Sequence, residues 1–263
     1  LQHCHFEYGG AFRNEMLRLQ DASIRVESCV FQSSRERGLT LLNSQASVIH
    51  CQFLNNADYA IVMDVNSFPA FSGNSATNNA EGIGNAIGIL GGTLNMDGTW
   101  VRDSIPYTIL NDVSISEASN LTIAPGVTLQ FQNPADDLFV DGTLIAEGTE
   151  ELPILFTSNE QVKAPNQWGF VWIRDTSPDE STIFKYCHFE FGSSFRDEML
   201  RIQDASPRVE HCLFQASRVR GITLLNSNAT VANCQFLNNS NYALVMTPGS
   251  FPLVSGNQAA GNA

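Results

Sequence analysis

The side chains best suited to chemistry in this chain form a cluster that is written twice. Arg13, Glu15 and Arg18, followed by Arg37, recur as Arg196, Glu198, Arg201 and Arg220. Guanidinium groups beside a carboxylate can neutralise an acidic sugar and assist proton abstraction from it. The same pattern also describes a solvated face on which Arg and Glu pair, each pair contributing little alone. Recurrence does not choose between the two, because a duplication preserves every residue alike. The solvated face, open to glycan, is the expectation; no catalytic residue is assigned.

Other reactive types are weaker signals. Six cysteines (Cys4, Cys29 and Cys51, then Cys187, Cys212 and Cys234) lack the C-x2-C pairs or interspersed His of a zinc site. His3, His5, His50, His188 and His211 lie close to them in sequence, but alternation along a straight strand sends neighbours to opposite faces. Free, buried thiols are expected, with disulfides between stacked cysteines as the alternative. Asp21 and Asp204 with Asn43 and Asn226 suit a hydrogen-bonded ladder that continues to Val65 or Pro248, poor in calcium ligands. Trp100, Trp168 and Trp172 are read as packing residues rather than a sugar platform. No cofactor and no metal is expected.

The elements that carry these residues are repeated. Residues 2–80 recur as 185–263 at a constant offset of 183, with roughly two-thirds identity. The chain therefore divides into the closing part of one repeat unit (1–80) and one complete unit (81–263). That unit comprises a single-copy half (81–184) and the duplicated half (185–263). Inside the duplicated block a shorter period of about 22 residues aligns RVESCVF with SVIHCQF, and MLRLQ with GLTLL and AIVMD. Leu17, Leu39 and Ile61 form one inward column and Leu19, Leu41 and Met63 another, with Arg18, Thr40 and Val62 outward. Stacking then sets Val26 on Val48, Phe31 on Phe53 and Cys29 on Cys51, and carries the cysteine column on to Gly73. Asn55 and Asn56 fall where a bend needs positive φ or a side chain that satisfies the backbone. In the single-copy half, Gly126-Val-Thr-Leu and Gly142-Thr-Leu-Ile are spaced by 16, which predicts rungs with shorter loops. The fold class is all-β, a right-handed parallel β-helix with rungs of about 22 residues.

Composition narrows the function classes. The net charge of −13 argues against nucleic acid and anionic membranes. The apolar run Ile83–Leu90 is short and broken by Gly84 and Gly88, so no membrane span is expected. Without an initiator Met or signal peptide, both ends read as cut from a longer tandem array.

The segments PGVTLQF, LFVDGTLIAEGT, PILFTS and CHFEFG, followed by CxF rungs ending in NN and YAIVM, resemble the right-handed parallel β-helix of pectin-lyase-like folds. They look most like β-helix regions of large secreted prokaryotic surface proteins. The resemblance covers nearly the whole chain and implies the fold, while the fold itself hosts lyases, hydrolases, adhesins and stalks. The hydrolase motifs Asn-Thr-Asp, Gly-His-Gly and Arg-x-Lys are missing, and Asp136-Asp137 matches only as an isolated dipeptide. The expectation is a non-enzymatic structural module of an extracellular fibre, stalk or adhesin-like surface protein. A carbohydrate-active β-helix, lyase, hydrolase or glycan binder, is the alternative. Expected partners are further copies, with polysaccharide second. Head-to-tail assembly would join Cys4, Phe6 and Tyr8 to Gly256, Asn257 and Asn262.

Overall fold

A computed structural model describes residues 1–179 and 181–262; Ala263, the last residue of the expected assembly end, lies outside them. The described chain is strands, tight bends and one 3-10 turn at Asn79–Gly82, and no helix is long and apolar enough to cross a membrane. It divides into two compact units, residues 1–92 with 101–110, and residues 93–100 with 111–263.

The first unit winds through three parallel sheets. One carries Glu15–Gln20, Arg37–Leu42, Ile61–Met63, Ile87–Ile89 and Tyr107–Ile109. A second carries His5–Glu7, Val30–Gln32, Gln52–Leu54 and Ser75–Thr77, and a third Arg25–Glu27, Ser47–Ile49 and Ala70–Ser72. The inward columns are in the expected register, Leu17 on Leu39 on Ile61 and Leu19 on Leu41 on Met63. Burying each such side chain contributes about 1.5–3 kcal/mol. The rung spacing also sets the aromatic geometry. Phe6, Phe31 and Phe53 stack with centroids 4.8 and 5.0 Å apart, close to the separation of paired strands.

Single left-handed residues turn the corners. Ser28 (φ 52°), His50 (φ 51°), Asn55 (φ 54°), Asp21 (φ 50°) and Asn43 (φ 45°) each end a strand. The bend leaves the ladder intact: the N–H of Ser28 donates to Ile49, that of His50 to Ser72 and that of Asn55 to Thr77. His50 and Cys51 therefore lie on a corner, not a straight strand, and the alternation expected of them does not apply.

Behind each corner a polar column runs through the interior. The Ser34 N–H donates to Asn56 Oδ1, while Asn56 Nδ2 donates to the Phe31 carbonyl and to Asn79 Oδ1. The Asn79 N–H and Nδ2 then donate to Asn85 Oδ1. Asn55 and Asn56 thus split the expected role, one taking the positive φ and the other the backbone bonds.

Four expectations need correction. The cysteine column passes from Cys51 to Asn74, whose Oδ1 accepts the Cys51 N–H at 2.9 Å; Gly73 instead follows His50 at the bend. The column from Asp21 through Asn43 (2.7 Å) continues to Asp64 rather than Val65, because the next rung is one residue shorter there. Thr40 and Val62 face outward but are buried. Tyr59, Ala86, Leu90 and Leu110 cover Val62, and the Thr40 hydroxyl donates to Glu15. Finally, the spacing of 16 is not a rung: the strands Thr128–Phe131 and Thr143–Glu147 belong to different sheets. Thr128 pairs with Leu155 and Ile145 with Ile183, so rungs here have longer loops, not shorter ones.

The second unit repeats the plan. Its sheets run from Val113–Ile115 through Leu138–Val140, Val171–Ile173, Glu198–Gln203 and Arg220–Leu225 to Leu244–Met246; from Asn120–Ile123 to Leu253–Ser255; and from Thr128–Phe131 to Gln258–Ala260. Phe156, Phe189, Phe214 and Phe236 form its inner stack, at 4.4, 4.8 and 5.3 Å. Trp168, stacked on Phe131 at 4.3 Å, and Trp100 are buried, as packing residues. Asn226 Nδ2 donates to Asp204 at 2.6 Å, and the Asn226 N–H to Thr247 rather than a group on Pro248.

Candidate functional site

In the first unit Glu15 is buried at the start of its strand. Arg18 donates to it through Nε at 2.8 Å and Nη2 at 3.2 Å, and Thr40 Oγ1 at 3.2 Å. Arg37 leaves this group for Asp58, at 3.0 Å. Arg13 is exposed. In the second unit Glu198 accepts from Arg201 at 3.0 Å and from Thr223 Oγ1 at 2.9 Å, and Arg220 pairs with Asp197 at 3.2 Å. The structure therefore brings Glu15, Arg18 and Thr40 together, and Glu198, Arg201 and Thr223 likewise. The paired carboxylates are buried behind arginine rather than presented as bases.

The second unit adds what the expected cluster lacked. The outward column on its sheet reads Ser114, Phe139, Trp172, Arg201, Thr223. The Trp172 ring lies 6.0 Å from Phe139 and 6.1 Å from Phe170. Three guanidinium groups close on this shelf. Arg174 sits 4.7 Å from the Phe139 centroid, Arg201 5.2 Å from Trp172, and Arg196 6.0 Å from both Phe170 and Trp172. Trp172 Nε1 and the Nε atoms of Arg174, Arg201 and Arg220 are buried without a hydrogen-bond partner among the described residues. Beside the shelf, Phe195, Arg196, Asp197, Glu198, Arg201 and Arg220 bound a hollow of about 290 Å³. Trp172 was expected to pack like the other two tryptophans. Its place between Val171 and Ile173, both buried, is the period-two signal that marks it as outward.

The Asp136-Asp137 pair lies close by. Asp136 is buried and accepts from the Asn133 N–H at 2.8 Å across a turn. Asp137 Oδ1 accepts the Phe170 N–H at 3.0 Å. Burial, aided by Asp112 and Asp136 and opposed by that hydrogen bond and Arg196, pushes the Asp137 carboxyl up to about 7. Elsewhere in the second unit a larger hollow of about 530 Å³ holds Tyr186 stacked on His211 at 4.9 Å, with His188 held below its usual range by burial. Among the described residues no three His, Cys, Asp or Glu side chains are grouped to hold a metal.

The six cysteines are free thiols, and all but Cys4 are buried. Of the expected assembly residues, Phe6 is stacked inside, Tyr8 is exposed, and Gly256 takes φ 65°. Asn257 and Asn262 continue the polar columns, accepting from the Cys234 and Asn239 N–H groups.

Parallel sheets wound rung on rung define a β-solenoid. A family model described as a right-handed β-helix region matches residues 1–102, and one described as a pectate-lyase-like β-helix domain matches 92–182. The chain is a pectin-lyase-like right-handed β-helix repeat region. It is also similar to Protein bark beetle of Drosophila melanogaster, 38% identical over 65 residues. That alignment covers 25% of this chain and 2% of the fly protein. No solved structure matches it.

Proposed function

We infer that this chain is a non-catalytic structural module of a secreted or surface protein, built to stack end on end with further copies. One observation carries this reading. The duplicated block advances by parallel columns of like residues, Leu39 on Ile61 in the first unit and Ile222 on Leu244 in the second, and its carboxylates Glu15 and Glu198 lie buried behind arginine. A block of this kind repeats as a length of rod, each rung contacting only its neighbours. The expected result is concentration-dependent association in sedimentation velocity, with filaments by electron microscopy, and loss of both in Tyr8→Asp, at an exposed residue of the expected joint. A strict monomer at every concentration would sink the idea.

Carbohydrate binding without catalysis is the second reading, favoured by the aromatic and arginine shelf in the second unit. Trp172 and the exposed Phe195 offer apolar faces to a sugar, and the arginines offer donors. The buried pairing of Glu198 with Arg201 speaks against a general base there. Retention on a glycan array with no unsaturated or reducing product supports it. Product formation would make the chain an enzyme.

A further inference from the structure

The glycan-binding reading leaves its ligand unnamed, and the shelf is specific enough to name one. We propose that the hollow bounded by Phe195, Arg196, Arg201 and Arg220 binds a tetrahedral oxyanion ester, sulfate or phosphate, carried on a sugar ring. The proposal rests on that reading and identifies the chemistry recognised.

Arg196 is the first part of the case. It forms no hydrogen bond or ion pair with any described residue, and stacking on Phe170 and Trp172 positions it without consuming an N–H group. Its neighbour in charge, Asp137, is an incomplete counter-ion at neutral pH, because burial holds its carboxyl up near 7. Arg201 also rests on Trp172. A guanidinium with a ring against one face has shed water there, so its outward N–H groups act in a less polar setting.

Charge and direction are the second part. The carboxylates of the hollow are already engaged, Glu198 by Arg201 and Thr223, and Asp197 by Arg220. Three arginines against two carboxylates leave a positive hollow on a chain of net charge −13. One guanidinium fork saturates a planar carboxylate. Here three arrive from different positions, before a strand (Arg196), within it (Arg201) and at the start of the next (Arg220). Oxygens pointing in three directions fit that arrangement. Phe195, 71% exposed at the rim, supplies the apolar face for the ring that carries the ester.

Calorimetric titration of the intact chain at constant ionic strength tests this, with glucose 6-sulfate, glucose 6-phosphate, glucuronate and glucose as probes. Both esters, or one of them, should bind at least about tenfold more tightly than glucuronate, and Arg196→Gln should weaken that binding by roughly tenfold. Whichever ester is preferred identifies the source. Arg35→Gln, at an exposed arginine of the first unit, should leave binding unchanged. Glucuronate matching the esters, or Arg35→Gln costing as much as Arg196→Gln, would overturn the proposal. Retention on uncharged glycans without ester binding would overturn it while leaving the broader reading intact. Failure to bind any glycan would remove both.

Discussion

Asp137 shows how a single side chain carries the burial of its surroundings into pH dependence. Its carboxyl is pushed from 3.8 up to about 7, so the folded state holds the proton more tightly than the unfolded chain does. Its contribution to stability is therefore fully present below about pH 4 and is lost as pH rises through about 7. Asp137→Asn keeps an oxygen for the Phe170 N–H and cannot ionise. Urea unfolding at pH 5 and pH 8 should find the variant's decline shallower than wild type. At pH 8 the gain should be on the order of 1–2 kcal/mol, after discounting for the side chain's partial exposure. Identical pH slopes for variant and wild type would remove the account. Beside it, Trp172 marks a limit of residue-level reading. Three tryptophans look alike in composition, yet Trp100 and Trp168 fill the interior while Trp172 carries arginines.

At the scale of the element, the interior polar columns let the corners exist. A parallel rung that bends within one residue points backbone groups inward, and these need partners where no water reaches. Asn56 serves Ser34 on one side and Phe31 on the other. Asn56→Leu keeps the branched outline of the side chain, though it is bulkier, and supplies neither bond. The expected cost is about 2–4 kcal/mol, read as a lower urea midpoint with an unchanged slope. A loss below about 0.5 kcal/mol would mean that water or a neighbour replaces the amide. The asparagines were legible in the sequence because NN recurs after each CQFL. The left-handed corners were legible only where an asparagine announced them, as at Asn55; Ser28 and Phe191 adopt positive φ without a residue type that does so.

For the molecule as a whole, the cysteines test whether the columns stay closed in solution. Burial raises the Cys51 and Cys212 thiols, and the hydrogen bond with Cys212, together with burial, raises Cys234. Thiolate chemistry is thereby suppressed in the folded chain. Ellman's reagent should modify Cys4, the half-buried one, and reach the other five only on unfolding. Rapid native reaction of more than one thiol per chain would show open columns.

What the sequence determined by itself was the repetition. Residues at a fixed offset must meet equivalent neighbours, and period-two alternation assigns their inner face, so the Leu17 and Leu19 columns, the stacked Phe and Cys and the Asp21–Asn43 ladder followed directly. Only the tertiary structure decided which outward residues are covered and what the duplicated cluster faces. Val62 is buried because Tyr59, Leu90 and Leu110 fold over it. Arg201 gains its aromatic shelf because rungs with long loops bring Phe139 and Trp172 into its column. The spacing of 16 misled for the same reason: loop length changes the distance between rungs in sequence without changing their distance in space, and hydrogen-bond register answers only to the latter.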